Sequence, residues 1–175
     1  MSFIKSQFHS DGPLLKWLWL AVVVIVLDQI TKQIAANSLE MYQPVAVMPM
    51  FNWTLMHNTG AAFSFLSDES GWQRWFFTAI AVIVSVVLVS WTSKLKAEEK
   101  WQAIAFALIL GGAIGNVIDR LIHGYVIDFI DVYYQEYHWP AFNIADSGIF
   151  IGVTILIIES FRQHKREGTG ETNHG

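Results

Sequence analysis

The chain has 175 residues, 53% of them hydrophobic and only 15% charged, with a net charge of −4 and no cysteine. A soluble globular domain carries roughly 25% charged residues, so this composition describes a membrane protein. The absence of cysteine excludes disulfides, thiolate metal sites and cysteine nucleophiles, and no basic stripe supports nucleic-acid binding.

About 20 residues are needed to cross the hydrocarbon core as a helix, and four segments satisfy this: residues 14–36, 72–92, 101–122 and 141–161. The first is not a cleavable signal peptide, since it lacks a small-residue cleavage site and runs into Asp28 and Lys32. Its clean apolar run, Trp17 to Leu27, is too short, so the span includes Asp28, Gln29, Thr31 and Lys32. Such groups face protein or water rather than lipid. The expected fold is an all-α membrane protein: one four-span domain over residues 1–163, followed by a disordered cytoplasmic tail from His164 to residue 175.

Lys and Arg orient the spans. Lys5 and Lys16 precede the first, Lys94, Lys96 and Lys100 join the second to the third, and Arg162, Lys165 and Arg166 follow the fourth. The connections 37–71 and 123–140 contain neither residue type. Both termini are therefore expected in the cytoplasm, with those two connections outside. The outer segments are rich in aromatics, among them Trp53, Phe63, Phe65, Tyr133, Tyr137 and Trp139, which favour the interface. Residues 45–55, with Pro44 before them and Pro49 within, alternate in part and predict a small extracytoplasmic β-like element. The connection between the third and fourth spans reads as a short outer loop carrying Asp128 and Asp131.

In this orientation the polar residues of the spans collect at the outer side: Asp28 and Lys32 in the first, Asn116, Asp119 and Arg120 in the third, Asn143 and Asp146 in the fourth. Asp28 and Lys32, like Asn116 and Arg120, are four residues apart and share a helix face. Gly111, Gly112 and Gly115 allow close helix approach in the third span. His57, His123 and His138 have no metal-ligand spacing, and no serine sits in a nucleophile elbow. Carboxylates remain as the chemical groups. Two held together share a proton, so that one serves as general base while the other donates to a carbonyl. Asp128 and Asp146 are plausible partners, although the outer region offers several aspartates. Intramembrane carboxylates also mark ion paths. Against a transporter, the polar residues do not extend through the inner half of the bundle, and four short spans leave little room for alternating access. A non-catalytic assembly subunit is the third class.

Five segments carry a resemblance: Asp28-Gln29-Ile30-Thr31-Lys32, Asn58-Thr59-Gly60-Ala61-Ala62-Phe63, the stretch from Gly111 to Arg120, Val126-Ile127-Asp128-Phe129-Ile130-Asp131, and Phe142-Asn143-Ile144-Ala145-Asp146. In this order on a four-span chain, they resemble the lipoprotein signal peptidases, also called signal peptidase II, over residues 20–158. The resemblance implies a catalytic aspartate pair at Asp128 and Asp146, with Asp28, Lys32, Asn58, Gly60, Asn116, Asp119, Arg120 and Asn143 supporting or binding substrate. It implies an inner-membrane aspartic endopeptidase that acts on diacylglyceryl-modified prolipoprotein, cutting on the amino side of the lipid-modified cysteine. No metal or organic cofactor is implied, and a monomer among membrane lipids is expected. Several roles stay open. Asp28 with Lys32 is either an anchoring ion pair or a substrate contact. Asp119 reads as structural rather than chemical, Arg120 as a brace or a carbonyl ligand, Asn143 as a cap or a partner of the catalytic region, and Asp131 as a solvated side chain.

Overall fold

Long apolar runs without internal breakers become helices in lipid because only the helix satisfies every backbone group locally. The computed structural model describes residues 14–60 and 71–170, with side chains described as far as Arg162. A short 3₁₀ turn, Leu15–Leu18, leads into α1 (Trp19–Ser38); α2 is Trp72–Thr92, α3 Lys100–Ile122 and α4 Ile144–Gly170. All four are long and apolar enough to cross a membrane.

The fourth helix departs from expectation at both ends. It begins at Ile144 rather than Ala141, because Asn143 caps it. The Asn143 side-chain oxygen accepts from the Asp146 N–H at 2.9 Å, and the Asp146 carboxylate accepts from the Asn143 N–H at 3.3 Å. This reciprocal pair satisfies two otherwise orphaned donors of the first turn. At the other end α4 continues to Gly170, so residues 164–170 are helical where a tail without structure is expected; residues 171–175 lie outside the described residues. Residues 61–63 of the Asn58–Phe63 motif, Phe65, and the segment that contains Lys5 also lie outside them.

The middle of the bundle is α3, which packs against the other three helices. Its buried face is built from small residues, including Ala103, Ala105, Ala107, Gly111, Gly112 and Gly115. A Cβ at Gly111 would lie 2.8 Å from the Ala21 carbonyl oxygen of α1, and one at Gly112 would collide with the Ala145 carbonyl of α4. Lipid supplies no hydrophobic drive between helices, so this close backbone packing holds them together. Val22, Val26, Ile30 and Ile34 of α1 and Trp75, Ile83 and Val86 of α2 point outward, as a lipid-facing surface requires.

One end of the bundle carries an antiparallel sheet in the order β1-β2-β3-β4, with β1 Val45–Met48, β2 Phe51–Asn58, β3 Val126–Tyr134 and β4 Tyr137–His138. The β-like element expected at residues 45–55 is the β1–β2 hairpin. The expected outer loop after the third span is instead β3, a nine-residue strand. Its segment VIDFIDVYY is β-branched and aromatic, but Val126 through Phe129 are all buried, so no half-buried alternation betrays a strand. The register places Met56 opposite Asp128 and Asn52 opposite Asp131, with a bulge between Trp53 and Met56.

Candidate active site

Asp128 enters from β3 and Asp146 from the first turn of α4. Asp128 is 2% exposed. One of its oxygens accepts from the Asn58 amide at 2.9 Å, the other from the Asn143 amide at 2.7 Å. Asp146 accepts from the Asn116 amide at 2.7 Å as well as from the backbone of Asn143. Asn143 is thus bonded to both carboxylates and is wholly buried. Gly60, two residues past the end of β2, supports this corner: its N–H donates to the Asn58 side-chain oxygen at 2.9 Å, which leaves the Asn58 nitrogen aimed at Asp128. Its φ of +113° is one that glycine tolerates.

Electrostatically the two carboxyls are coupled. Burial pushes Asp128 up to about 7, and the negative charge of Asp146 pushes in the same direction, against the pull of Asn58, Asn143 and Lys32. A carboxyl held protonated beside a second carboxylate can donate to a carbonyl while its neighbour takes a proton from water. Two cavities are lined in part by residues of this network. One of about 670 Å³ lies against Asp146, with Asn58, Trp139, Phe142 and Phe150 in its wall. Another of about 280 Å³ runs between α2, α3 and α4 past Phe77, Asn116, Arg120 and Ile149.

Around this centre the remaining singled-out residues divide. Lys32 is buried against Asp28 at 2.8 Å, Asp119 at 2.9 Å and Asn116 at 3.0 Å. Arg120 sits 5.5 Å from the Phe77 ring centroid, donates to the Asn116 carbonyl at 3.3 Å and keeps a buried Nε without a partner. Asp131 is not solvated, as the sequence suggests, but 2% exposed. It accepts from Asn52 at 3.2 Å and Thr54 at 2.9 Å and contacts His138 at 2.7 Å. It faces these sheet partners rather than Asp146, because Asp128 and Asp131 are an odd number of residues apart on one strand and so point to opposite faces. His57 stacks on Tyr125 with ring centroids 3.8 Å apart. Among the described residues, no group of three His, Asp or Glu side chains is arranged to hold a metal ion.

Sequence reasoning missed Asn52, Thr54 and Gln29 as network members. Gln29 donates to Asp119 at 2.8 Å and to Asp28 at 3.2 Å. Its position beside Asp28 in an apolar helix was the available signal. Nothing local marks Asn52 or Thr54, whose roles depend on strand pairing.

Comparison with known proteins places this geometry. Residues 20–162 match the family model described as signal peptidase (SPase) II. A protein from Alteromonas mediterranea named lipoprotein signal peptidase is 56% identical over 155 residues, covering 89% of this chain and 84% of its own. One of the same name from Pseudomonas aeruginosa is 53% identical over 163 residues, covering 92% and 95%. A solved bacterial membrane enzyme superposes with a TM-score of 0.77 at 36% identity, over 86% of this chain and 90% of that one.

Proposed function

From the premise that the chain belongs to the signal peptidase II family, we propose that it is an aspartic endopeptidase of the bacterial inner membrane that removes signal peptides from diacylglyceryl-modified prolipoproteins. Cleavage falls on the amino side of the lipid-modified cysteine. The observation that carries this reading is the pairing of Asp128 and Asp146 through Asn143 at the sheet-bearing end of four apolar helices.

Asp128 holds the shared proton and donates it to the scissile carbonyl. Asp146, in the first turn of α4 where a helix favours an anion, takes a proton from the attacking water. A tetrahedral diol forms, and its collapse returns a proton to the departing amine of the cysteine residue while the new carboxyl stays on the signal peptide. Asn58, Asn116 and Asn143 keep the carboxyls oriented, and Arg120, with its unpartnered Nε beside the groove, meets substrate backbone.

Both termini and the α2–α3 connection are cytoplasmic. The sheet and the aspartates stand at the periplasmic face, in keeping with the absence of Lys and Arg from residues 37–71 and 123–140. The enzyme works as a monomer. Its substrate keeps its acyl chains in the bilayer, where each buried CH₂ contributes about 0.8 kcal/mol.

The deciding experiment mixes purified enzyme with diacylglyceryl-modified and unmodified precursor and follows cleavage by gel shift. Rapid cleavage of the modified precursor and slow cleavage of the other is the expected result. Equal rates would remove the lipid from recognition, and no cleavage of either would remove the activity.

A further inference from the structure

Lys32 lies in α1, which gives no side chain to the bonds around Asp128 and Asp146 described above, yet its ammonium is 1% exposed and makes three contacts. Two are to carboxylates, Asp28 at 2.8 Å and Asp119 at 2.9 Å. Each of these also accepts one backbone N–H: Asp28 from Ala145 at 2.9 Å, and Asp119 from Ile127 at 3.0 Å. Ala145 immediately precedes Asp146, and Ile127 immediately precedes Asp128. A single buried ammonium therefore holds, through two carboxylates, the backbone one residue upstream of each aspartate.

We infer that the Asp28–Lys32–Asp119 ion cluster is the spacer that sets the separation of Asp128 and Asp146, which makes these three positioning residues for the cleavage reaction. The inference rests on the reading of Asp128 and Asp146 as the catalytic pair. Its physical basis is the cost of the cluster. Two carboxylates and one ammonium buried among helices are poor stabilisers, and apolar residues of similar volume often serve stability as well or better. Charge-assisted bonds are short and directional, however, and so they fix geometry. Here they run from α1 to the start of α4 and to the start of β3, the two elements that carry the pair. The third contact adds orientation: Lys32 meets the Asn116 side-chain oxygen at 3.0 Å, which turns the Asn116 nitrogen onto Asp146 at 2.7 Å. Gly115 makes room for the arrangement, since a Cβ there would lie 2.7 Å from the Asp28 carboxylate.

The test uses the full chain in lipid bilayers with a diacylglyceryl-modified peptide substrate and compares the parent with Asp119→Asn and with the triple variant Asp28→Asn/Lys32→Met/Asp119→Asn. The triple variant removes all three buried charges and keeps an oxygen for both the Ala145 and the Ile127 N–H, so it decides the matter where the single does not fold. Rates are normalised to folded enzyme. The expected result is a kcat lower by about 10²-fold, as a displacement of order 1 Å produces, with KM nearly unchanged. The acid and alkaline limbs of the pH profile should also move closer together, because carboxyls held farther apart interact less. An unchanged kcat per folded molecule, or a pH profile of unaltered shape with only a lower Tm, overturns the spacer role. Asp128→Asn and Asp146→Asn are assayed alongside. Activity in either would overturn the catalytic pair itself, whereas inactivity in both with an unaltered profile in the cluster variants would overturn only the spacer.

Discussion

The Asn143 amide nitrogen donates to Asp128 across 2.7 Å. Through its other groups the same residue caps the helix that carries Asp146. Loss of one side chain therefore loosens both halves of the site at once.

Asn143→Ala should cost about 0.5–2 kcal/mol of stability through the lost cap. It should also move the alkaline fall of activity to higher pH, because the Asn143 hydrogen bond is one of the interactions that lower Asp128. Thermal unfolding and a pH–rate profile check the two effects. An alkaline limb that stays in place would mean that the bond does not act on the titrating carboxyl.

In the parent enzyme the shared proton should persist up to a pH of about 7, the value to which burial and Asp146 raise Asp128. Cleavage should therefore decline as pH rises through that value. The same shift has a stability cost with a definite sign. The unfolded chain ionises Asp128 near pH 4, so burying it subtracts stability progressively from about pH 4 to about 7 and by a constant amount above. Denaturation of Asp128→Asn against the parent should show the difference growing across that window; a pH-independent difference would contradict it.

Asp128→Asn and Asp146→Asn should each lose nearly all turnover while still folding, and the double variant should be little worse than either, because members of one catalytic unit are not additive. A chelator such as EDTA should leave the parent rate unchanged. Near-parental cleavage by a folded single variant would strike that residue from the mechanism, and strong inhibition by EDTA would point to a carboxylate-held metal.

Asp131→Asn should keep substantial activity but unfold more readily. Burial raises Asp131, but the hydrogen bonds from His138, Asn52 and Thr54 outweigh it and hold the carboxyl below its usual range. A depressed carboxyl contributes stability that is present above about pH 4 and lost as pH falls through its folded value. The Tm gap between parent and variant should therefore close in acid. A gap that persists there would assign the loss to packing instead of charge.

The chain has no natural cysteine, so cysteines introduced at Ser93 and Tyr137 can report topology. An impermeant thiol reagent applied outside intact cells should label the second and not the first; labelling of both would refute the proposed orientation.

The sequence by itself determined the four spans and their expected orientation, because both are local properties. In lipid a helix must close its own hydrogen bonds, so a run of about 20 apolar residues suffices to mark it, and Lys/Arg bias needs no partner. Asp28, Asp119 and Asp146 were legible because polar groups stand out in apolar helices; Asp128, in a segment that read as a loop among other aspartates, was singled out by the family resemblance. What tertiary structure alone decided was which of them meet. Asp128 and Asp131 lie three residues apart and are equally buried, yet strand pairing turns one toward Asn143 and the other toward Asn52 and Thr54. The strand itself read as a loop because a segment buried on both faces shows no alternation. Lys32 reaches the two aspartates by separate routes distant in sequence, through Asp119 to Ile127 and through Asp28 to Ala145. Such bonds depend on glycines that let α1, α3 and α4 approach, and only the packed bundle brings those donors and acceptors within reach.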